Sequence, residues 1–222
     1  MNRAAFLVTR EFLIDDPAEV EGLTDLEIAN RFRIGNPSEF AGRTDPQIAR
    51  RLIEFVENRP PEENRVTKLV DHYVDCLPFF IDENPYRTLG DPEGAVVALQ
   101  EAGAIVGLGT GNVASGARLK LESCGILHLF DISMGGFGDD GETRAQVLER
   151  GVARCDPTGE RPVVIVGDTP RDVEAALAIG AICIGVPFHS NTAEVLIEAG
   201  AAAVVDEIGP SLVPLISRLV QA

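Results

Sequence analysis

Tryptophan is missing from the 222 residues, and only two tyrosines and two methionines are present. The core must therefore be built mainly from aliphatic side chains. No apolar run approaches the ~18 residues that a membrane-spanning helix needs. The opening residues, MNRAAFLVTREF, lack the apolar centre and cleavage site of a secretory signal. Cys76, Cys124, Cys155 and Cys183 lie far apart with no CxxC spacing. That pattern argues against a disulfide framework or a zinc ribbon, and the expectation is free thiols in a cytoplasmic protein. Positive charge is scarce, with 19 Lys and Arg against 35 Asp and Glu for a net charge of −16. A surface of this sign disfavours nucleic acid and anionic membrane as partners. An anionic substrate would need positive groups supplied locally.

What is present is organised around Pro162–Gly180, PVVIVGDTPRDVEAALAIG. The β-branched run Val163–Val166 has the pattern of a strand buried on both faces. Gly167 permits a tight turn and Asp168 stands where the strand ends. Thr169 is suited to cap the next helix and Pro170 to open it, so a helix is expected from about Arg171 to Ile179, stopping at Gly180. Asp168 and Asp172 would then stand together at the carboxyl edge of a parallel sheet, where open α/β sheets bind ligands. Two carboxylates with room for water and a phosphate suit Mg²⁺. Asp172 alone could equally be a cap or a dipole partner in the first helical turn.

From Pro92 onward strand and helix patterns alternate with short glycine-marked turns. Helices are expected at 92–102, 113–124, 142–154, 191–199 and 211–220. Strands are expected at Ala104–Leu108, Ile132–Met134, Ile182–Val186 and 202–205. This alternation predicts an α/β fold with a Rossmann-like parallel sheet between helices. The first 85 or so residues read differently, as a helix over 3–14 (with a strand as the alternative for Ala5–Val8), a helix started by Gly42–Arg51 and continued by Arg50–Asn58, and a helix over 64–81 broken at Pro78. A near-repeat also occurs there: Gly22–Arg31 and Gly42–Arg51 share Gly, Thr, Asp, Ile, Ala and Arg at matching places. Thr24 with Glu27, and Thr44 with Gln47, fit capping boxes. The copies are either two similarly started helices or, for Arg43, Thr44 and Asp45, a loop that overlies the active site and selects the substrate. The expected division is a helical domain over 1–88 and an α/β domain over 89–222, with a hinge at 82–92 rich in Pro and Gly.

Two further places carry chemistry. Thr110-Gly111-Asn112 ends one strand and opens a helix. A hydroxyl, a glycine permitting close approach and free helix N-terminal N–H groups make an anion cradle, although the same tripeptide also forms ordinary turns. Arg144 falls in the first turn of its helix, where the macrodipole opposes a cation. A phosphate facing the guanidinium would account for it, as would simple solvation. Lys120 is a weaker candidate, being well along the helix after Asn112.

These motifs, in this order, resemble the haloacid dehalogenase superfamily of phosphohydrolases, and in particular its phosphoglycolate-phosphatase-like branch with a helical cap near the N-terminus. GRTDPQIAR looks like cap sequence, GLGTGN like the second motif and GDTPRD like the fourth. The resemblance implies that Thr110 holds the transferring phosphoryl group with the Gly111 and Asn112 backbone, and that Asp168 ligates Mg²⁺ with Asp172 completing or orienting its shell. Arg144 stands where the family usually has lysine. The implied ligand is a small phosphorylated metabolite and the implied assembly a monomer or homodimer. The family's first motif, a strand ending in Asp-x-Asp whose first carboxylate attacks phosphorus, has no counterpart in this sequence; Asp15-Asp16-Pro17 has the wrong spacing and surroundings. No catalytic nucleophile is therefore identified. By that resemblance the chain begins downstream of its first core strand, which would leave a gap between the strands ending at Leu108 and Val166. Weak or no hydrolysis is expected of the sequence as it stands. The alternative is a phosphate- or metabolite-binding protein that has lost catalysis. A receiver-like signalling domain fits poorly, since no aspartate is offered for phosphorylation.

Overall fold

The computed structural model describes residues 40, 42–83, 85–188 and 191–221. The expected helix over 3–14, the Gly22–Arg31 copy of the repeat and Asp15–Asp16 lie outside these residues. Three parallel strands, β1 (Val164–Gly167), β2 (Ile182–Gly185) and β3 (Ala203–Val204), pair in the order β1-β2-β3. Side chains alternate across this sheet because the strand period is two. Ile165 and Cys183 face Val173, Ala176 and Leu196 of helices α6 (Pro170–Ala178) and α7 (Ala193–Glu198). Val164 and Ile184 face Ala95 of α3 (Pro92–Glu101) and Leu212 of α8 (Leu212–Leu219). The result is the expected α/β sandwich, with helices on both faces of a parallel sheet. Cys183 is in the core as its apolar surroundings predict, and burial pushes its thiol up to about 11.

A second core lies under α1 (Asp45–Glu57) and α2 (Glu63–Glu83), where Ala49, Leu52 and Ile53 meet Val66, Leu69 and Val70. Val113, from the turn opening α4 (Ala114–Ser123), inserts into the same cluster. The helical pair is thus packed onto the α/β layer at that turn. Thr44 caps α1 in the expected capping box with Gln47, at 3.3 Å and 3.2 Å. Among the described residues no helix is long and apolar enough to cross a membrane.

Four expectations fail for identifiable reasons. Helix α2 does not break at Pro78 but continues to Glu83. Pro78 cannot donate to the carbonyl four residues back, yet burial of Leu77 on the inner face outweighs that loss. Pro78 is exposed, so Pro78→Ala should raise stability by about 1–3 kcal/mol, which a shift in the urea midpoint measures. Ile132–Met134 is a 3₁₀ turn rather than a strand, because the Asp131 carboxylate accepts from the Ser133 N–H and hydroxyl at 2.9 Å and 2.7 Å. Such local bonds compete with a ladder. The run 104–108 forms no strand among the described residues; beyond it one parallel bridge joins Gly109 to Gly136. Strand β1 has β2 on one edge and no ladder partner on the other among the described residues. Val166 is 38% exposed and Ile105 43%, so neither the 163–166 run expected to be buried on both faces nor the 104–108 run expected to be buried is covered as the sequence suggests.

Candidate functional site

The turn after β1 folds as the sequence reading expects. The Thr169 hydroxyl accepts from the Asp172 N–H at 3.2 Å, and Pro170 opens α6. Asp172 returns the bond: its Oδ2 accepts from the Thr169 N–H at 3.1 Å and from the Thr169 hydroxyl at 2.8 Å. Its Oδ1 accepts from Arg144 Nε at 2.8 Å, and Arg144 Nη2 lies at the same distance. Asp172 is only 2% exposed, so a carboxylate out of water here requires these partners. Arg144 opens α5 (Arg144–Cys155), and its Nη2 also donates to the Gly109 carbonyl at 3.1 Å. It is therefore not a solvated arginine. Its guanidinium ties the β1–α6 turn to the turn that carries Thr110, and only Nη1 is outside these bonds. Asp168 sits between β1 and the cap, with its backbone carbonyl accepting from Asn191 Nδ2 at 2.9 Å.

Residues 42–45 lie across both turns. Gly42 has φ +70, and a side chain there would come within 2.7 Å of the Thr169 hydroxyl and 2.9 Å of Arg171 Cβ. Two residues on, Thr44 is fully buried. The Asp45 N–H donates to the Gly111 carbonyl at 2.7 Å, and Asp45 Oδ2 accepts from the Val113 N–H at 2.9 Å. Gly111 has no room for a Cβ because the Arg43 carbonyl occupies that space. The Arg43–Asp45 stretch, Thr110–Asn112 and the Asp168–Asp172 turn are thereby brought into one assembly.

The cradle differs from expectation in its donors. The α4 N-terminus does not offer free N–H groups at its first positions: Val113 gives its own to Asp45, and Ala114 gives its own to Asp139 at 3.2 Å. Two carboxylates stand where an anion would be held by the helix end. Asp139 was not singled out by the sequence, and the only signal for it is the acidic pair after Gly138. The Asn112 N–H turns back to the Thr110 hydroxyl at 3.2 Å. What is left is the buried Gly111 N–H, which makes no hydrogen bond among the described residues, next to the Thr110 hydroxyl. Burial raises the Asp45 carboxyl above its usual range, opposed by Lys120 and by the Val113 bond. Burial likewise lowers the Lys120 ammonium from its usual value, and Asp45 opposes that shift.

Magnesium can be weighed against this donor set. Asp172 has both oxygens engaged by Thr169 and Arg144, and no group of three His, Cys, Asp or Glu side chains converges among the described residues. Mg²⁺ demands an oxygen-rich octahedral shell. The described residues alone do not fit a resident Mg²⁺, and no chemical step is derived through one.

Residues 85–186 match the family model described as haloacid dehalogenase-like hydrolase. No curated protein matches the chain. Among solved structures, β-phosphoglucomutase from Clostridium difficile is similar with a TM-score of 0.62 and 16% identity, over 99% of this chain and 90% of that one. CbbY from Rhodobacter sphaeroides, solved in complex with phosphate, gives a TM-score of 0.62 at 15% identity over 93% of this chain and 88% of its own. A hydrolase from Pseudomonas syringae gives 0.63 at 16% over 97% and 91%. Identities this low speak for the fold, whereas the family match covers the Thr110, Arg144 and Asp168–Asp172 turns themselves. Over that α/β portion, the chain is similar to the haloacid dehalogenase-like hydrolases, and its fold is that of the solved structures.

Proposed function

We propose that the protein hydrolyses a small phosphate monoester, held between the Thr110–Gly111 turn and the Asp168 edge of the sheet. The observation that carries this reading is the pairing of a buried Gly111 N–H, without a partner among the described residues, with the Thr110 hydroxyl, tied through Gly109 and Arg144 to the Asp172 turn. Donors fixed in advance stabilise a phosphoryl group without reorganising during the reaction. CbbY was solved both with phosphate and with xylulose-1,5-bisphosphate, which supports a phosphorylated sugar-sized ligand. Residues 1–88 would act as a cap, with Arg43, Thr44 and Asp45 shaping the substrate side of the pocket. Phosphoglycolate is one substrate of suitable chemistry. Mg²⁺ belongs to this reading only as a family expectation.

One observation favours a second reading, binding without turnover. Asp45 and Asp139 are engaged by helix N–H groups and Asp172 by Thr169 and Arg144, so none of these three carboxylates is placed to attack phosphorus. An assay of p-nitrophenyl phosphate with added Mg²⁺ decides between them. Turnover by the wild type that falls at least about 100-fold in Asp168→Asn supports hydrolysis. Phosphate binding with no turnover supports the second reading, and neither binding nor turnover overturns both.

A further inference from the structure

Behind the Thr110 turn lies a half-buried lysine that neither the Asp168–Asp172 turn nor the guanidinium bridge explains. Lys120, on α4, points its ammonium back to Asn112 and donates to Asn112 Oδ1. The ammonium also lies 5.5 Å from the Tyr73 ring centroid and 5.7 Å from that of Tyr86. Tyr86 is pinned to the same helix, its N–H donating to the Ser123 hydroxyl at 3.2 Å. Asp45, which caps Val113, supplies the opposing charge. Two aromatic faces and a carboxylate thus keep a cation in a partly buried place where it would otherwise be expensive.

The geometry imposes a direction on the neighbouring hydrogen bonds. An ammonium has three donors and no acceptor, so only the oxygen of the Asn112 amide can face it. The amide is thereby locked with Nδ2 toward Thr110, at 2.7 Å from the hydroxyl oxygen. Nδ2 is itself a donor only, and the Asn112 N–H approaches the same oxygen. Thr110 Oγ1 must accept both bonds, and its own proton, which has no acceptor among the described residues, is left to donate elsewhere. With Asn112 reversed, its oxygen would take the hydroxyl proton and the turn would lose a donor.

We propose that Lys120 is a positioning residue for phosphate, acting through Asn112 to fix the Thr110 hydroxyl as a donor toward the bound anion. This rests on the reading of the Thr110–Gly111 turn as the phosphate site, and it assigns Lys120 no contact with the ligand. The side chain acts by selecting one of the two orientations of an amide.

A double-mutant cycle on inorganic phosphate binding, followed by calorimetry or phosphorus NMR, tests it. Lys120→Met should weaken phosphate about tenfold in the wild-type background, the scale of one charge-assisted hydrogen bond. In a Thr110→Val background the same change should cost less than about twofold, because no hydroxyl remains to be oriented. Asn112→Ala, which removes the middle link, should show the same pattern and serves if Lys120→Met does not fold. Equal weakening in both backgrounds overturns the proposal, since a lysine acting by charge or by general folding needs no Thr110. No weakening by either variant, while Thr110→Val still reduces binding, overturns the positioning role and leaves the phosphate site standing. Wild-type protein that fails to bind phosphate, or binding insensitive to Thr110→Val, overturns the site reading together with the proposal.

Discussion

Asp172→Ala should lower stability by about 3–5 kcal/mol, which a urea midpoint measures directly. The size follows from what the carboxylate holds. Its loss leaves the Thr169 N–H and hydroxyl without their buried acceptor and strips the Arg144 guanidinium of its counter-charge. An unpaired buried donor costs about 1–3 kcal/mol, and an unpaired charge more. Asp172→Asn is the sharper probe. The amide oxygen can serve Thr169 or Arg144 but not both, and its NH₂ then faces a donor, so about 2–4 kcal/mol should still be lost. Adding Arg144→Met to Asp172→Asn should recover part of that loss, because the charge goes with its partner. A single Asp172→Ala that unfolds at the wild-type urea concentration would mean that the turn is held by something other than this pair.

The same residue shows how far the sequence could be read. Thr169, Pro170 and the spacing to Asp172 announce the cap, because capping is decided within four residues. The same is true of Thr44 with Gln47. The partner of Asp172 could not be read: Arg144 is 28 residues away and arrives only because α5 and α6 pack side by side. Lys120 is only a weaker candidate in the sequence because it lies six residues into its helix, roughly 9 Å along the axis from Ala114. Helical side chains lean toward the N-terminus and a lysine stem is long, so the head group returns to Asn112. The strand at 104–108 illustrates the opposite limit. Its apolar pattern is correct, but a strand exists only through its neighbours, and no local signal states whether they are there. Ile132–Met134 is similar, since a side-chain acceptor at Asp131 outcompetes a ladder that has little else to offer it.

Gly111→Ala should be nearly as damaging, at about 2–4 kcal/mol, and should also abolish phosphate binding. The added methyl would collide with the Arg43 carbonyl, which is backbone and cannot swing away as a side chain would. Arg43 is held by its own N–H to the Phe40 carbonyl at 3.1 Å, and the next residue, Thr44, is completely buried in its capping box. The segment can yield only by giving up the Asp45–Gly111 bond and the Asp45–Val113 bond, which join the helical pair to the α/β layer. Losing the second frees Asp45 from the turn that Lys120 supports. The methyl would therefore act at three places at once: the seam between the two layers, the entry of Val113 into the helical core, and the N–H that sits beside the Thr110 hydroxyl. Thermal unfolding and phosphate titration on the same sample separate these effects. A variant of wild-type stability that still binds phosphate would show that residues 42–45 rest on the turn loosely, and that their place over it is no part of how the site is made.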